Sequence, residues 1–203
     1  MQKYELEFCF KGSRDYVQGP DIFDAVLEKL KNNFNLSELK KVKYAAHNML
    51  YSNANLYVVE NLNKEQYKTI NSIITFNFKN KKNYAIVSKN DKKISCRKEY
   101  SEEIVRTFSK INGKFIIFEN VLDYTLTEII VSMNKYYLQE TVTKNGKWIV
   151  TQFEYINLDK YFDIKGKILK LELLSNFNNK LTKSKIFIED QLIGYLYFSL
   201  VKR

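Results

Sequence analysis

Between Lys11 and Leu27 the chain reads KGSRDYVQGPDIFDAVL, which gathers Arg14, Asp15, Tyr16, Gln18, Gly19 and Asp21 just ahead of an apolar run. Asp15 has the chemistry of a general base or nucleophile at a carbonyl, provided that it comes within roughly 3 Å of the attacking water or the carbon. Its plainer alternative is an ion pair with Arg14 or a capped turn. Gln18 and Asp21 join it as candidate catalytic groups, because a helix starting here offers N–H donors and a positive dipole to a carbonyl oxygen. Asp21 and Asp24 also suit a plain role as first-turn acids that complement that dipole. His47 is the only histidine. In KYAAHNML, strand alternation sets it with Ala45 and Met49, as a candidate catalytic acid or a structural histidine. One histidine cannot form a histidine cluster, so no metal centre is expected. No cofactor is expected either, since the six glycines form neither G-x-x-x-x-G-K-[ST] nor G-x-G-x-x-G. Cys9 and Cys96 each lie in an apolar or strand-like run with no second cysteine at ligand spacing, which predicts two buried free thiols.

The elements around these residues follow from periodicity. Residues 4–10, YELEFCF, alternate as a half-buried strand does. Gly19 and Pro20 then open a helix whose stripe is Ile22, Phe23, Val26, Leu27 and Leu30. Strand-like runs follow at 42–50, 56–59, 73–78, 84–88 and 94–100, separated by Asn- and Lys-rich turns. The second half repeats the order. KFIIF at 114–118 reads as a strand, and Thr125 with Glu128 has capping-box spacing. Leu126, Ile129, Ile130, Met133 and Tyr137 make a second amphipathic stripe. Strands are expected at 148–156, 168–174, 184–188 and 193–201, the last apolar on both faces and therefore central. Trp148 is expected as an anchor under the sheet, and Tyr84, Tyr100, Tyr195, Tyr197 and Phe198 as core. Asp15-Tyr16 and Asp123-Tyr124 sit at nearly the same offset before the two helices, which suggests a duplicated β-α-β-β-β-β unit. The expected organisation is α+β, with a first unit at 1–101, a connecting helix at 102–112 and a second unit at 113–203.

The 203 residues carry a net charge of +10, and 45% hydrophobic residues supply a core, which excludes intrinsic disorder. Residues 1–101 hold 18 Lys and Arg against 11 Asp and Glu, so the first half carries most of the excess. From Lys79 to Lys98 only Asp91 opposes eight cations. Such a hairpin attracts phosphates, which makes Lys89, Lys92, Lys93, Arg97 and Lys98 candidate phosphate-binding residues, or else a solvated edge that resists aggregation. No signal peptide and no run of about 20 apolar residues is legible, so the expectation is a cytoplasmic protein without membrane contact.

A strand, a long helix and a following antiparallel meander, occurring twice within this length, resembles a double hotdog. The resemblance covers the whole chain in architecture and is sharpest at GSRDYVQGPDIF, where hotdog proteins place their catalytic loop. It implies two tandem hotdog units forming one continuous antiparallel sheet wrapped around two central helices. Family members are acyl thioester hydrolases or β-hydroxyacyl dehydratases that bind acyl-coenzyme A or an acyl-carrier protein. The family's thioesterases use an Asp or Glu near the helix start, a region that Asp15, Asp21, Asp123 and Glu128 occupy; together with the reading of the residues, this makes Asp15, Gln18, Asp21 and His47 the catalytic candidates and Arg14, Tyr16, Gly19, Asp123, Tyr124 and Glu128 the substrate-binding ones. The family's dehydratases carry His-x-x-x-Gly-x-x-x-x-Pro ahead of the helix, whereas FKGSRDYVQG has no histidine.

Three readings follow: binding or processing of an acyl thioester, a non-catalytic hotdog binding module, and a nucleic-acid-binding protein using the Lys79 to Lys98 segment. The thioester readings rank ahead of nucleic acid, because the cations cluster in one loop and do not line a helix. A monomer and a homodimer are equally admissible.

Overall fold

A computed structural model describes residues 2–62 and 69–201, in two units, Met1–Tyr100 and Ser101–Arg203. The first unit runs β1 (Gln2–Leu6), β2 (Phe10–Lys11), α1 (Gly19–Leu30), β3 (Lys40–Ala46), β4 (Ala54–Val59), β5 (Ser72–Phe78), β6 (Lys81–Lys89) and β7 (Arg97–Lys98). Its main ladder is antiparallel in the order β1-β4-β6-β5-β3. All five apolar stripe residues of α1 are buried, each contributing roughly 1.5–3 kcal/mol of transfer free energy. Phe23 meets Tyr44 of β3 edge to face, with ring centroids 6.4 Å apart. The β5–β6 turn falls on Lys79 and Asn80, both at positive φ, the geometry that two-residue hairpins use.

The second unit runs α2 (Glu102–Thr107), β8 (Ser109–Asn112), β9 (Phe115–Phe118), α3 (Leu126–Thr141), β10 (Lys147–Asn157), β11 (Leu169–Phe177), β12 (Leu181–Ile188) and β13 (Gln191–Val201). Its ladder, also antiparallel, has the order β10-β13-β12-β11-β9-β8. Leu126, Ile129, Ile130, Met133 and Tyr137 are buried on α3, and Trp148 is buried with its Nε1 donating to the Thr143 carbonyl. Gly194 of β13 is required by close approach: a Cβ there would sit 2.0 Å from the Glu154 carbonyl oxygen.

Five sequence expectations are corrected. The connecting helix is only Glu102–Thr107, because Gly113 (φ +55) and Lys114 make a tight turn that draws 109–112 into a hairpin with β9. The strand expected at 94–100 is reduced to Arg97–Lys98, pairing parallel with β2, because the backbone from 90 to 96 bonds to Asn53 and Phe10 rather than to a ladder. Strand β13 is central in its unit but buried on one face only. On its other face Tyr195 and Tyr197 are half-buried, under Lys183, whose Nζ lies 4.3 and 5.2 Å from their ring centroids. Tyr84 and Tyr100 are likewise half-buried and not core. Finally, the two cysteines are not free thiols: Cys9 and Cys96 form a disulfide across 87 residues.

Candidate functional site

In the first unit, the loop entering α1 and the basic segment are brought together. Phe8 N–H donates to Asn53 Oδ1 at 2.8 Å, fixing the chain just before β2. Asn53 also holds the far segment, donating from its backbone N–H to the Lys92 carbonyl (3.0 Å) and from Nδ2 to the Lys93 carbonyl (3.2 Å). The disulfide and the β2–β7 pairing complete the seam, with Phe10 N–H on the Cys96 carbonyl and Gly12 N–H on the Lys98 carbonyl. Residues 90–98 thus form a strap along the loop. Arg97 Nη1 donates to the carbonyls of Gly12 (2.6 Å) and Arg14 (2.7 Å), so one guanidinium fixes the loop's curvature. Lys11 Nζ and the Arg14 guanidinium both lie over the Tyr100 ring, at 5.4 and 5.5 Å.

Behind this basic seam stands the start of α1. Lys11 Nζ pairs with Asp21 Oδ1 at 2.5 Å, both side chains less than a fifth exposed. Gln18 is the N-cap residue, yet its side chain makes no capping bond, and Pro20 supplies no N–H. The second helix differs, because Thr125 and Glu128 close a full capping box, with Thr125 N–H on Glu128 Oε2 and Glu128 N–H on Thr125 Oγ1. Of these two N-termini, then, only that of α1 lacks a side-chain cap. Gly19 packs on Tyr44, and a Cβ would lie 3.2 Å from that tyrosine's hydroxyl. Burial pushes the Tyr44 hydroxyl well above its ordinary pKa of 10, with the Asp21 charge adding to the rise, so it stays a proton donor. Ser72 lies close enough to oppose that rise, but its buried Oγ closes no hydrogen bond of good geometry among the described residues.

The candidate residues fall into three groups. Arg14, Gly19, Asp21, Arg97 and Lys98 meet at the seam or at the helix start, Gln18 occupies the N-cap position, and Tyr16 is half-buried in the same loop. Asp15 is exposed on that loop. Lys92 pairs with Glu5 at 2.5 Å, an exposed contact that lowers the glutamate's pKa and raises the lysine's. Lys93 is exposed at the start of the strap, and Lys89 ends β6 with its N–H on Asn71 Oδ1. His47 lies just past β3, exposed, its N–H on the Asn71 carbonyl. In the second unit Glu128 is taken up by the capping box, and the Tyr124 hydroxyl braces Ser101, accepting from its N–H and donating to its carbonyl, each at 3.3 Å. Asp123 is exposed at the rim of a cavity of about 360 Å³ walled by Val121, Phe162 and Ile164.

Lys11, Tyr44, Asn53 and Ser72 were missed in the sequence because nothing local marks them. A second missed group is the buried hydroxyl chain of the second unit, where Thr127 Oγ1 lies 3.0 Å from the Tyr155 hydroxyl and 2.6 Å from that of Tyr161. Among the described residues no metal-sized cluster of His, Cys, Asp and Glu is present, and no helix is long and apolar enough to cross a membrane.

No family model and no curated protein sequence matches the chain. Solved structures do match over nearly its whole length. A thioesterase II from Thermobifida fusca superposes with a TM-score of 0.56 at 7% identity, covering 98% of this chain and 92% of that one. A tesB protein of Mycobacterium avium subs paratuberculosis gives 0.51 at 10% identity, over 98% and 93%. A monomeric dehydratase domain from a trans AT polyketide synthase split module gives 0.51 at 9%, over 99% and 100%. At such identity the likeness speaks for architecture and not for activity, and the chain has the hotdog fold that these thioesterase and dehydratase structures share.

Proposed function

We propose that the chain binds acyl thioesters of coenzyme A or of an acyl-carrier protein, with the thioester at the start of α1 and the phosphates along the basic strap. The observation that carries this reading is the seam itself, where the Cys9–Cys96 disulfide, the β2–β7 pairing and the Arg97 bonds to Gly12 and Arg14 hold Arg14, Arg97 and Lys98 on the loop that leads into α1. Phosphates suit the clustered cations of Arg14, Arg97 and Lys98. A thioester carbonyl oxygen suits the positive end of the α1 dipole. The hotdog neighbours support the same substrate class.

Binding is better supported than turnover. Asp21, the best-positioned carboxylate, is held in an ion pair by Lys11, while Asp15 is exposed on the loop. Dehydration of the family's kind needs a histidine ahead of the helix, and His47 lies beyond β3. Hydrolysis through Asp21 or Asp15 is the second reading, with Gln18 as an accessory group.

The test is a thermal-shift panel against short-, medium- and long-chain acyl-coenzyme A, free coenzyme A, an acyl-carrier protein and a single-stranded oligonucleotide, each at low and moderate salt. A ligand that binds only the folded state raises the midpoint by mass action. The proposal expects a shift that grows with acyl length and persists in salt. A shift from the oligonucleotide alone, erased by salt, would overturn it and point to nucleic acid.

A further inference from the structure

We propose that the Cys9–Cys96 disulfide is a reversible clasp, whose reduction by a dithiol releases the strap from Ile94 to Lys98 and opens the seam beside α1. The inference rests on the functional reading above only for its effect on ligand. Release of the strap stands on geometry alone.

The two ends of the bond differ in kind. Cys9 lies between buried Phe8 and half-buried Phe10, on backbone fixed by Asn53, so its side of the seam has a rigid floor. Cys96 is exposed, in a segment where every residue from Asp91 to Glu99 except half-buried Ile94 is exposed. The strap therefore has almost no core of its own. Its upstream end is pinned at Lys92 and Lys93 by Asn53. Beyond that point the ties to the loop among the described residues include the disulfide, a two-residue parallel pairing, the Arg97 bonds to two carbonyls and the Arg97 guanidinium 5.5 Å over the Phe10 ring, all at the surface of the loop. Exposed hydrogen bonds of this kind exchange with water at little net gain. The covalent bond is what makes them form together, and its loss puts the hinge at Lys93 and Ile94.

Access favours the chemistry. A thiolate of the dithiol attacks the Sγ of Cys96, whose residue is exposed while that of Cys9 is half-buried, the S–S bond breaks, and Cys9 leaves as thiolate and takes a proton. The dithiol's second thiolate then attacks its own sulfur in the mixed disulfide and releases Cys96, which is protonated in turn. Two electrons pass to the protein, and the dithiol becomes a disulfide. Reoxidation by a disulfide of the same class reverses each step.

The experiment uses the full chain, oxidised or reduced with dithiothreitol and checked for folding by far-ultraviolet circular dichroism. Two quantities are read: the rate of tryptic cleavage after Arg97 and Lys98, located by mass spectrometry, and the affinity for hexanoyl-coenzyme A. The proposal expects cleavage at least tenfold faster after reduction, the same fast rate in Cys96→Ser whether or not reductant is present, and affinity at least tenfold weaker. Equal cleavage rates in both redox states of the wild type would overturn the clasp, whatever the ligand does. Faster cleavage on reduction, with no hexanoyl-coenzyme A binding in either state, would uphold the clasp and remove the thioester reading.

Discussion

Replacing Gly194 with alanine should destabilise the second unit by about 3–5 kcal/mol. The new Cβ would sit 2.0 Å from the Glu154 carbonyl oxygen and 3.0 Å from its carbon, both backbone atoms with no rotamer to yield. A comfortable carbon–oxygen contact is roughly 3.3 Å, so β10 and β13 must part by more than about 1 Å. That separation strains the pairing at Glu154–Tyr195 and Tyr155–Gly194. Losing two ladder bonds costs about 1 kcal/mol each, and residual overpacking adds roughly 1–3 kcal/mol. Trp148 is the only tryptophan, is buried, and pairs with Leu200 on the same ladder, so its emission during urea unfolding reports the change directly. The control is Gly113→Ala, where φ is +55 but nothing lies within 4 Å. Backbone strain alone should cost that variant only about 1–2 kcal/mol. If Gly194→Ala unfolds within 1 kcal/mol of the parent, or if Gly113→Ala is the costlier change, the close-approach argument is wrong.

Other outcomes are fixed by features of the same kind. Removing both cysteines should destabilise the first unit by about 4.6 kcal/mol in the chain-entropy model, given an 87-residue closure, and a loss below 1 kcal/mol in urea unfolding would contradict that account. Tyr161→Phe deletes the hydroxyl nearest Thr127 and should cost about 1–2 kcal/mol, and a neutral result in the same assay would show that the hydroxyl chain does not stabilise the fold. Lys114 and Lys185 hold the Glu172 carboxyl below its ordinary pKa of 4.5, chiefly through the Lys114 hydrogen bond. The folded state therefore binds that proton less readily than the unfolded chain, so the stabilisation is complete above about pH 4.5 and fades as pH falls through the lowered value. The stability gap between the parent and Glu172→Gln should narrow below pH 4.5, and a gap that holds constant down to pH 3 would count against the pairing.

What the sequence disclosed was local. The stripes of α1 and α3 repeat at helical spacing, and both helices form; Thr125 and Glu128 stand three apart, and their capping box closes. The parts that escaped depend on residues far apart in the chain. Cys9 and Cys96 look like separate apolar cysteines until the strap folds back, and the two-residue parallel pairing beside them carries no periodic signal. Asn53 reads as turn chemistry, although its amide joins residue 8 to residues 92 and 93. Hydrophobicity alone assigns Tyr195 and Tyr197 to the core, whereas a strand with one wet face lets tyrosine lie under a lysine there. The Gly113-Lys114 turn is legible in principle from its glycine, but the helical spacing before it masks the hairpin. At the candidate site the polar loop and the helix start were visible, while Lys11, Tyr44 and Ser72 gain their meaning only from burial against α1.

The hydrogen-bond order of the strands bears on how copies of this chain behave at high concentration. One border of the first unit's ladder is β1, five residues long, with Gln2, Lys3 and Glu5 exposed; one border of the second unit's ladder is β8, four residues long, with Lys110 and Asn112 exposed. An incoming strand needs a long, flat, apolar border to template on, and short charged borders deny it one. Neither of these two margins should template strand addition, even though the sheets themselves are rich in β-branched and aromatic residues.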